Sequence, residues 1–218
     1  GAILTISPVS LADSGNYYCA MSNIHGSMNS DTVFLTVNTP PVVTSDPLAD
    51  TACTGSQASF SISATGTAPL SYQWFNLNGQ LNGGTNSTYN INAATANDAS
   101  TYHCIVTNSC GFDQSNGANL TIQASPTISN IPSTATICEN QSYTYTVTAS
   151  GNPSPTYQWH KDLSAIASAT TPSLNITSAT TADDGNYYCK ATNTCGSDST
   201  SISSLTIDEI PDITNQSP

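Results

Sequence analysis

The chain has 218 residues, and only 7% are charged: 14 Asp and Glu stand against two lysines and no arginine, a formal net charge of −12. Phosphate binding needs clustered Lys or Arg, so this balance excludes nucleic acid as a partner and argues against anionic membrane surfaces. Seven cysteines at recurring positions fit an oxidising compartment.

From the N-terminus onward, apolar residues come in pairs two apart, the spacing of side chains on one face of a strand. Leu4/Ile6 precede the phrase Asp13-Ser-Gly-Asn-Tyr-Tyr-Cys19, and Leu35/Val37 follow it. The series returns as Tyr89/Ile91, Asp98-Ala-Ser-Thr-Tyr-His-Cys104 and Leu120/Ile122. It comes once more as Leu174/Ile176, Asp183-Asp-Gly-Asn-Tyr-Tyr-Cys189 and Leu205/Ile207. Cys19, Cys104 and Cys189 stand 85 residues apart (104 − 19 and 189 − 104), as do Trp74 and Trp159, Cys53 and Cys138, and Cys110 and Cys195. A fixed period marks one supersecondary plan copied head to tail, so function belongs to an array. Between the pairs, Phe60-Ser-Ile62-Ser-Ala64 and Tyr143-Thr-Tyr145-Thr-Val147 alternate with period two, and no stretch keeps a helical period. Asn78-Gly79 and Asn82-Gly83 mark tight turns, because both residue types tolerate positive φ. The expected fold class is all-β, with antiparallel sandwich domains in a head-to-tail array.

A tryptophan on an early strand, followed 30 residues later (104 − 74 and 189 − 159) by Asp-x-small-x-Tyr-x-Cys, resembles the immunoglobulin-like fold, closest to its I-set form. The resemblance implies Greek-key sandwiches in which Trp74 and Trp159 pack centrally and Tyr17, Tyr102 and Tyr187 are tyrosine corners. It departs from the vertebrate pattern at strand B, where Ile62 and Val147 replace the partner cysteine. The inter-sheet disulfide is therefore expected to be absent, leaving Cys19, Cys104 and Cys189 as buried core thiols that act as small hydrophobes. Cys53 and Cys138 ahead of strand B, Asn-x-Cys-Gly at Cys110 and Cys195, and Tyr-Gln-Trp on strand C resemble the Ig-like repeats of large secreted or surface proteins of Bacteroidota-type bacteria. On this map residues 1–38 carry strands E, F and G of one domain, and 39–123 and 124–207 are two complete domains. Residues 208–218 match the first strand of a following one, so the chain reads as a window from a longer protein. Without half its sandwich, the first segment is expected to expose its inner face around Leu4, Ile6, Phe34 and Leu35.

The pairing of the outer cysteines is open from sequence. Cys53 lies at the bottom of its domain and Cys110 in the FG turn at the top, roughly 20 Å apart for strands of about six residues, which is too far for a disulfide. Across a head-to-tail junction the bottom of one domain faces the top of the next, so Cys53 is expected to approach Cys195. Repeated along the array, such a staple would stiffen it; His25 holds the Cys110 position in the first segment. The rivals are Cys53 with Cys104 after a register shift, bridges between chains, and free thiols.

Catalysis finds little support. His25, His103 and His160 align with Cys110, Tyr188 and Phe75, so no histidine recurs, and His103 is expected to face solvent. Asp13, Asp98 and Asp183 recur, but as local caps of backbone N–H groups before the tyrosine corner. No His-Asp pair activates a serine, and neither a Gly-rich phosphate loop nor a zinc-type Cys-x-x-Cys occurs. No cofactor or metal is expected: the linkers around Pro40 and Pro126 lack the carboxylates calcium needs, and the middle domain lacks the Lys of an isopeptide bond. Asn86, Asn119, Asn140, Asn175 and Asn215 satisfy Asn-x-Ser/Thr, and Thr32, Thr51 and Ser199 follow Asp as in the O-glycan acceptor of Bacteroidota.

The function expected is that of a non-enzymatic, extracellular or cell-surface array, a stiff structural or adhesive fibre or filament subunit. Its partners would be its own copies or another surface or matrix component. The alternatives are a spacer or accessory array of a secreted polysaccharide-degrading enzyme, and a carbohydrate-binding module, for which aromatic residues are scarce.

Overall fold

Period-two alternation becomes short strands, and the structure, a computed structural model describing residues 3–209 and 211, has no α-helix among them. Three 3-10 turns, Leu11–Asp13, Ala96–Asp98 and Thr181–Asp183, sit at the three copies of the repeated aspartate. Residues group into two units that do not follow the repeat period. Unit 1 is Gly1–Asp50, Ser59–Ile91 and Ser100–Leu120; unit 2 is Thr51–Ala58, Asn92–Ala99 and Thr121–Pro218.

In unit 1, Thr101–Asn108 is the central strand. It pairs antiparallel with Ser71–Asn76, setting Cys104 opposite Trp74, and with the hairpin partner Gly111–Gln114. Trp74 is fully buried, and its indole N–H donates to Asn86 O at 2.8 Å, so its polar atom is satisfied without leaving the core. Phe60 stacks on Tyr102 at 4.7 Å between ring centroids and lies 6.2 Å from Trp74, filling the space beside buried Ile62.

Residues 3–38 form two separate hairpin-like pairs, Gly15–Tyr17 with Val33–Leu35 and Ala20–Asn23 with Gly26–Asn29. Three expectations for this segment need correction. Leu4/Ile6 is not a strand: its counterparts Thr88–Ile91 and Ser173–Ile176 pair with Ala58–Ser61 and Tyr143–Thr146, and no such partner strand lies against it among the described residues. Cys19, expected in a core, is exposed, because no second sheet among the described residues covers its face. The apolar inner face is open at Leu4, 70% exposed, but Ile6 and Leu35 are half-buried, and Phe34, 65% exposed, alternates with Leu35 and faces the other way.

In unit 2 the third repeat closes into a sandwich. One sheet runs Thr134–Cys138, Ser203–Asp208, Gly185–Asn193, Thr156–Lys161, Ser164–Ala165; the first pair is parallel and the others antiparallel. The other pairs Tyr143–Thr146 with Ser173–Ile176. Between them lie Tyr145, Val147, Trp159, Tyr187, Cys189, Leu205 and Ile207. Trp159 repeats the arrangement of Trp74, its N–H donating to Thr171 O at 3.0 Å. Gln73 and Gln158, just before each tryptophan, use their amides the same way, on Trp74 O and Leu81 O and on Trp159 O and Ile166 O. The opening strand expected over 208–218 falls mostly on residues outside the description, as does Asn215.

Candidate functional site

The cysteines separate into three environments. Cys104 and Cys189 are fully buried, and burial pushes each thiol up to about 11 from an ordinary 9.0. Each backbone N–H is bonded by a hydroxyl eleven residues on, Ser115 at 3.0 Å and Thr200 at 3.1 Å. These are inert core groups. Cys19, Cys110 and Cys138 are free and exposed. Cys53 and Cys195, both in unit 2, form a disulfide with Cα atoms 5.5 Å apart across 142 residues of chain.

Each end of that bridge is held by its own turn. Cys195 sits in the hairpin between Gly185–Asn193 and Gly196–Ser199. Asn193 organises the hairpin: its Oδ1 accepts from Cys195 N–H at 2.8 Å, while its amide donates to Ala124 O and Pro153 O, both at 2.8 Å. Cys53 ends the strand Asp50–Cys53, and Thr54 next to it donates through its N–H to Gln123 O at 2.8 Å. Thr194 Oγ1 donates to Gln123 Oε1 at 3.0 Å, a polar clasp beside the sulfurs. Asn193 escaped attention in the sequence, although the Asn of Asn-x-Cys-Gly recurs with the period and is the signal for it.

The tyrosines bond at the turns. Tyr17 and Tyr187 donate through their hydroxyls to Asp13 O and Asp183 O, both at 2.8 Å, and burial, followed by the nearby Asp183 charge, holds the Tyr187 phenol far above its usual range. Tyr102 is buried at the matching place. The aspartates cap backward: Asp13, Asp98 and Asp183 accept from the N–H of Ser10, Thr95 and Thr180 at 2.7, 2.8 and 2.9 Å. Their carboxylates are committed to structure.

One histidine differs from expectation. His103 does not stand free in solvent but is half-buried, stacked on Phe75 at 5.4 Å. His160 stacks on Tyr188 at 4.6 Å. The positions correspond with the roles exchanged, His on one strand of the pair in one repeat and on the other strand in the next, because a planar ring of either kind fits the cross-strand slot. His25 is exposed at the tip of its hairpin. No group of three or more His, Cys, Asp or Glu able to hold a metal occurs among the described residues. Thr32, Thr51 and Ser199 are exposed, but Asp198 beside Ser199 accepts from Ile128 N–H at 3.0 Å.

A family model described as Immunoglobulin domain matches residues 40–108 and 125–193, more than half of the chain. The chain belongs to the immunoglobulin domain family. Neuroglian of Drosophila melanogaster is 27% identical over 210 residues, taking in 90% of this chain and 16% of neuroglian. Peroxidasin homolog of Homo sapiens is 29% identical over 224 residues, 96% of this chain and 15% of that protein. Among solved structures, an I-band fragment of titin matches with a TM-score of 0.69 at 25% identity, covering 78% of this chain and 66% of the fragment. The chain thus spans about a sixth of these curated relatives' length. Within the immunoglobulin frame, buried Ile62 and Val147 at the strand-B positions leave Cys104 and Cys189 unpaired, and the disulfide lies outside the sandwich core.

Proposed function

We propose that this chain is a non-catalytic structural or adhesive segment of a large extracellular tandem-immunoglobulin protein, acting as a stiff surface fibre or filament subunit. The observation that carries this reading is the bridge from Cys53 in one repeat to Cys195 in the next, a second covalent connection beside the backbone. Disulfides persist in oxidising surroundings, which supports a cell-surface or extracellular setting. Two lysines and no arginine leave few sites for trypsin-like proteases there. No described helix is long and apolar enough to cross a membrane.

In a repeat array, function lies in length, stiffness and edge contacts. Binding would run through sheet faces, hairpin tips and strand edges, to other copies or to a surface or matrix component. The domain division proposed is 1–38, 39–123, 124–207 and 208–218. The placement of the outer cysteines is the ground for reading the array as of the Bacteroidota type, with Thr32, Thr51 and Ser199 as O-glycan acceptors.

Electron microscopy of the native protein in its extracellular fraction, before and after thiol reduction, tests the reading. Regular filaments with an axial repeat of roughly 40 Å per domain, loosening on reduction, are expected. Single flexible particles indifferent to reductant would overturn it in favour of an enzyme spacer.

A further inference from the structure

One hollow in the third repeat is built from residues outside the recurring plan. It measures about 310 Å³, lies on unit 2, and is lined by Asp162, Leu163, Asn186, Tyr188 and Ile202. The positions one period earlier hold Leu77, Asn78, Thr101, His103 and Gly117, so neither the carboxylate nor the tyrosine recurs. Lys161 pairs with Ser164 across a hairpin, leaving Asp162 and Leu163 as a two-residue loop with φ of 48° and 70°. Such a loop suits Asn-Gly, because at positive φ the Cβ of a larger residue crowds the backbone carbonyl. Leu163 stands there nonetheless and is 78% exposed, serving neither the turn nor the core. Asp162 is fixed twice over by Asn186: its N–H donates to Asn186 O at 2.8 Å, and its Oδ1 accepts from Asn186 N–H at 2.9 Å. Asp162 Oδ2 takes no hydrogen bond among the described residues. The Tyr188 ring is held by stacking on His160 at 4.6 Å.

We propose that this hollow binds a Lys or Arg side chain carried on a basic segment of another protein. Its lining matches the parts of such a side chain. The cationic head takes Asp162 Oδ2 and the side-chain oxygen of Asn186, the Tyr188 ring adds cation–π attraction, and the methylene stem lies along Leu163 and Ile202. No cation of this chain lines the hollow: Lys161 Nζ donates to Ala182 O and lies over the Tyr187 ring instead. A net charge of −12 draws a basic segment toward the molecule, and the fixed carboxylate gives it a place to dock. With two lysines and no arginine, a second copy of this chain is a poor source of the cation, so the partner has a different composition. A neutral sugar could use the ring and the amide but would gain nothing from the charge.

The site rests on the adhesive reading and names a partner chemistry for it, but its test stands apart from the filament test. The nitrogen-15-labelled chain is titrated at low salt with hexalysine, with hexalysine acetylated at every Nε, and with cellohexaose, and backbone amide signals are followed by NMR. Hexalysine is expected to shift the amides of Asp162, Leu163, Asn186, Tyr188 and Ile202 to saturation, and the two neutral probes to leave them in place. Asp162→Asn keeps an oxygen for Asn186 N–H but removes the charge, and should weaken hexalysine binding about tenfold or more. Leu163→Gly suits the positive φ, so it should weaken binding while the unfolding midpoint holds or rises. Unchanged dispersion of the remaining amide signals shows that both variants fold. Shifts scattered over the acidic surface and indifferent to both variants, equal binding of the acetylated peptide, or the same amides moved by cellohexaose would overturn the proposal. None of these outcomes would by itself remove filaments seen in the native fraction.

Discussion

Cys104 and Cys189 share a sequence context with Cys19, yet burial alone makes them chemically different from it. With their thiols raised to about 11, almost no thiolate forms at neutral pH. Iodoacetamide applied to the native chain and mapped by mass spectrometry should label Cys19, Cys110 and Cys138 and spare the two core thiols. A folded value above the unfolded 9.0 means the neutral thiol is favoured by folding. That contribution is complete below about 9, and stability should decline as pH rises from there through about 11, read as a falling denaturation midpoint. The Asp13 carboxylate runs the opposite way. The Ser10 backbone N–H, then its hydroxyl, hold Asp13 below its ordinary 3.8, so its cap persists in mild acid and is lost only as pH falls through the depressed value. An NMR titration of the Asp13 carboxyl should report a midpoint below 3.8, and replacing Ser10 by Ala should move it upward.

At the scale of elements, each sandwich is organised by its tryptophan strand. Trp159→Ala leaves a cavity at the centre of the third repeat and strands the partner of its N–H. A loss of about 3–5 kcal/mol is expected, measured by urea unfolding followed through Tyr fluorescence. The Cys53–Cys195 bridge acts on a longer span. Closing a loop of 142 residues is worth up to about 5 kcal/mol on the chain-entropy account. Cys53→Ser should therefore lower the unfolding midpoint of the disulfide-containing unit, while reductant should produce the same shift in the unaltered chain and none in the variant. A reductant effect that survives in Cys53→Ser would assign the stabilisation elsewhere.

For the molecule as a whole, the charge of −12 sets how copies meet. Like-charged chains repel over a Debye length of about 30 Å at 0.01 M salt and about 8 Å at 0.15 M. Association of copies should accelerate as salt rises through that range, measured as the rate of rise in light scattering. A rate that falls with salt would mean that local complementary charges, not net repulsion, control the encounter.

The repeat period, the all-β class and the tryptophan-centred sandwich were legible in the chain because each depends on residue type at a fixed spacing: alternation of two for strands, 85 for the copy. The repeated aspartates could be read as caps for the same reason, since a cap acts within four residues of chain. The exposure of Cys19, the missing strand at Leu4 and Ile6, and the stacking of His103 and His160 were not legible. Each depends on whether a second element lies across the sheet, and residues remote in sequence decide that. The bridge lies between these cases: spacing placed Cys53 and Cys195 among the cysteines able to meet, but left rival pairings standing. Only the three-dimensional arrangement, which brings Cα atoms 142 residues apart to within 5.5 Å, decided between them. Disulfide chemistry acts on distance in space, which a one-dimensional period bounds but does not measure.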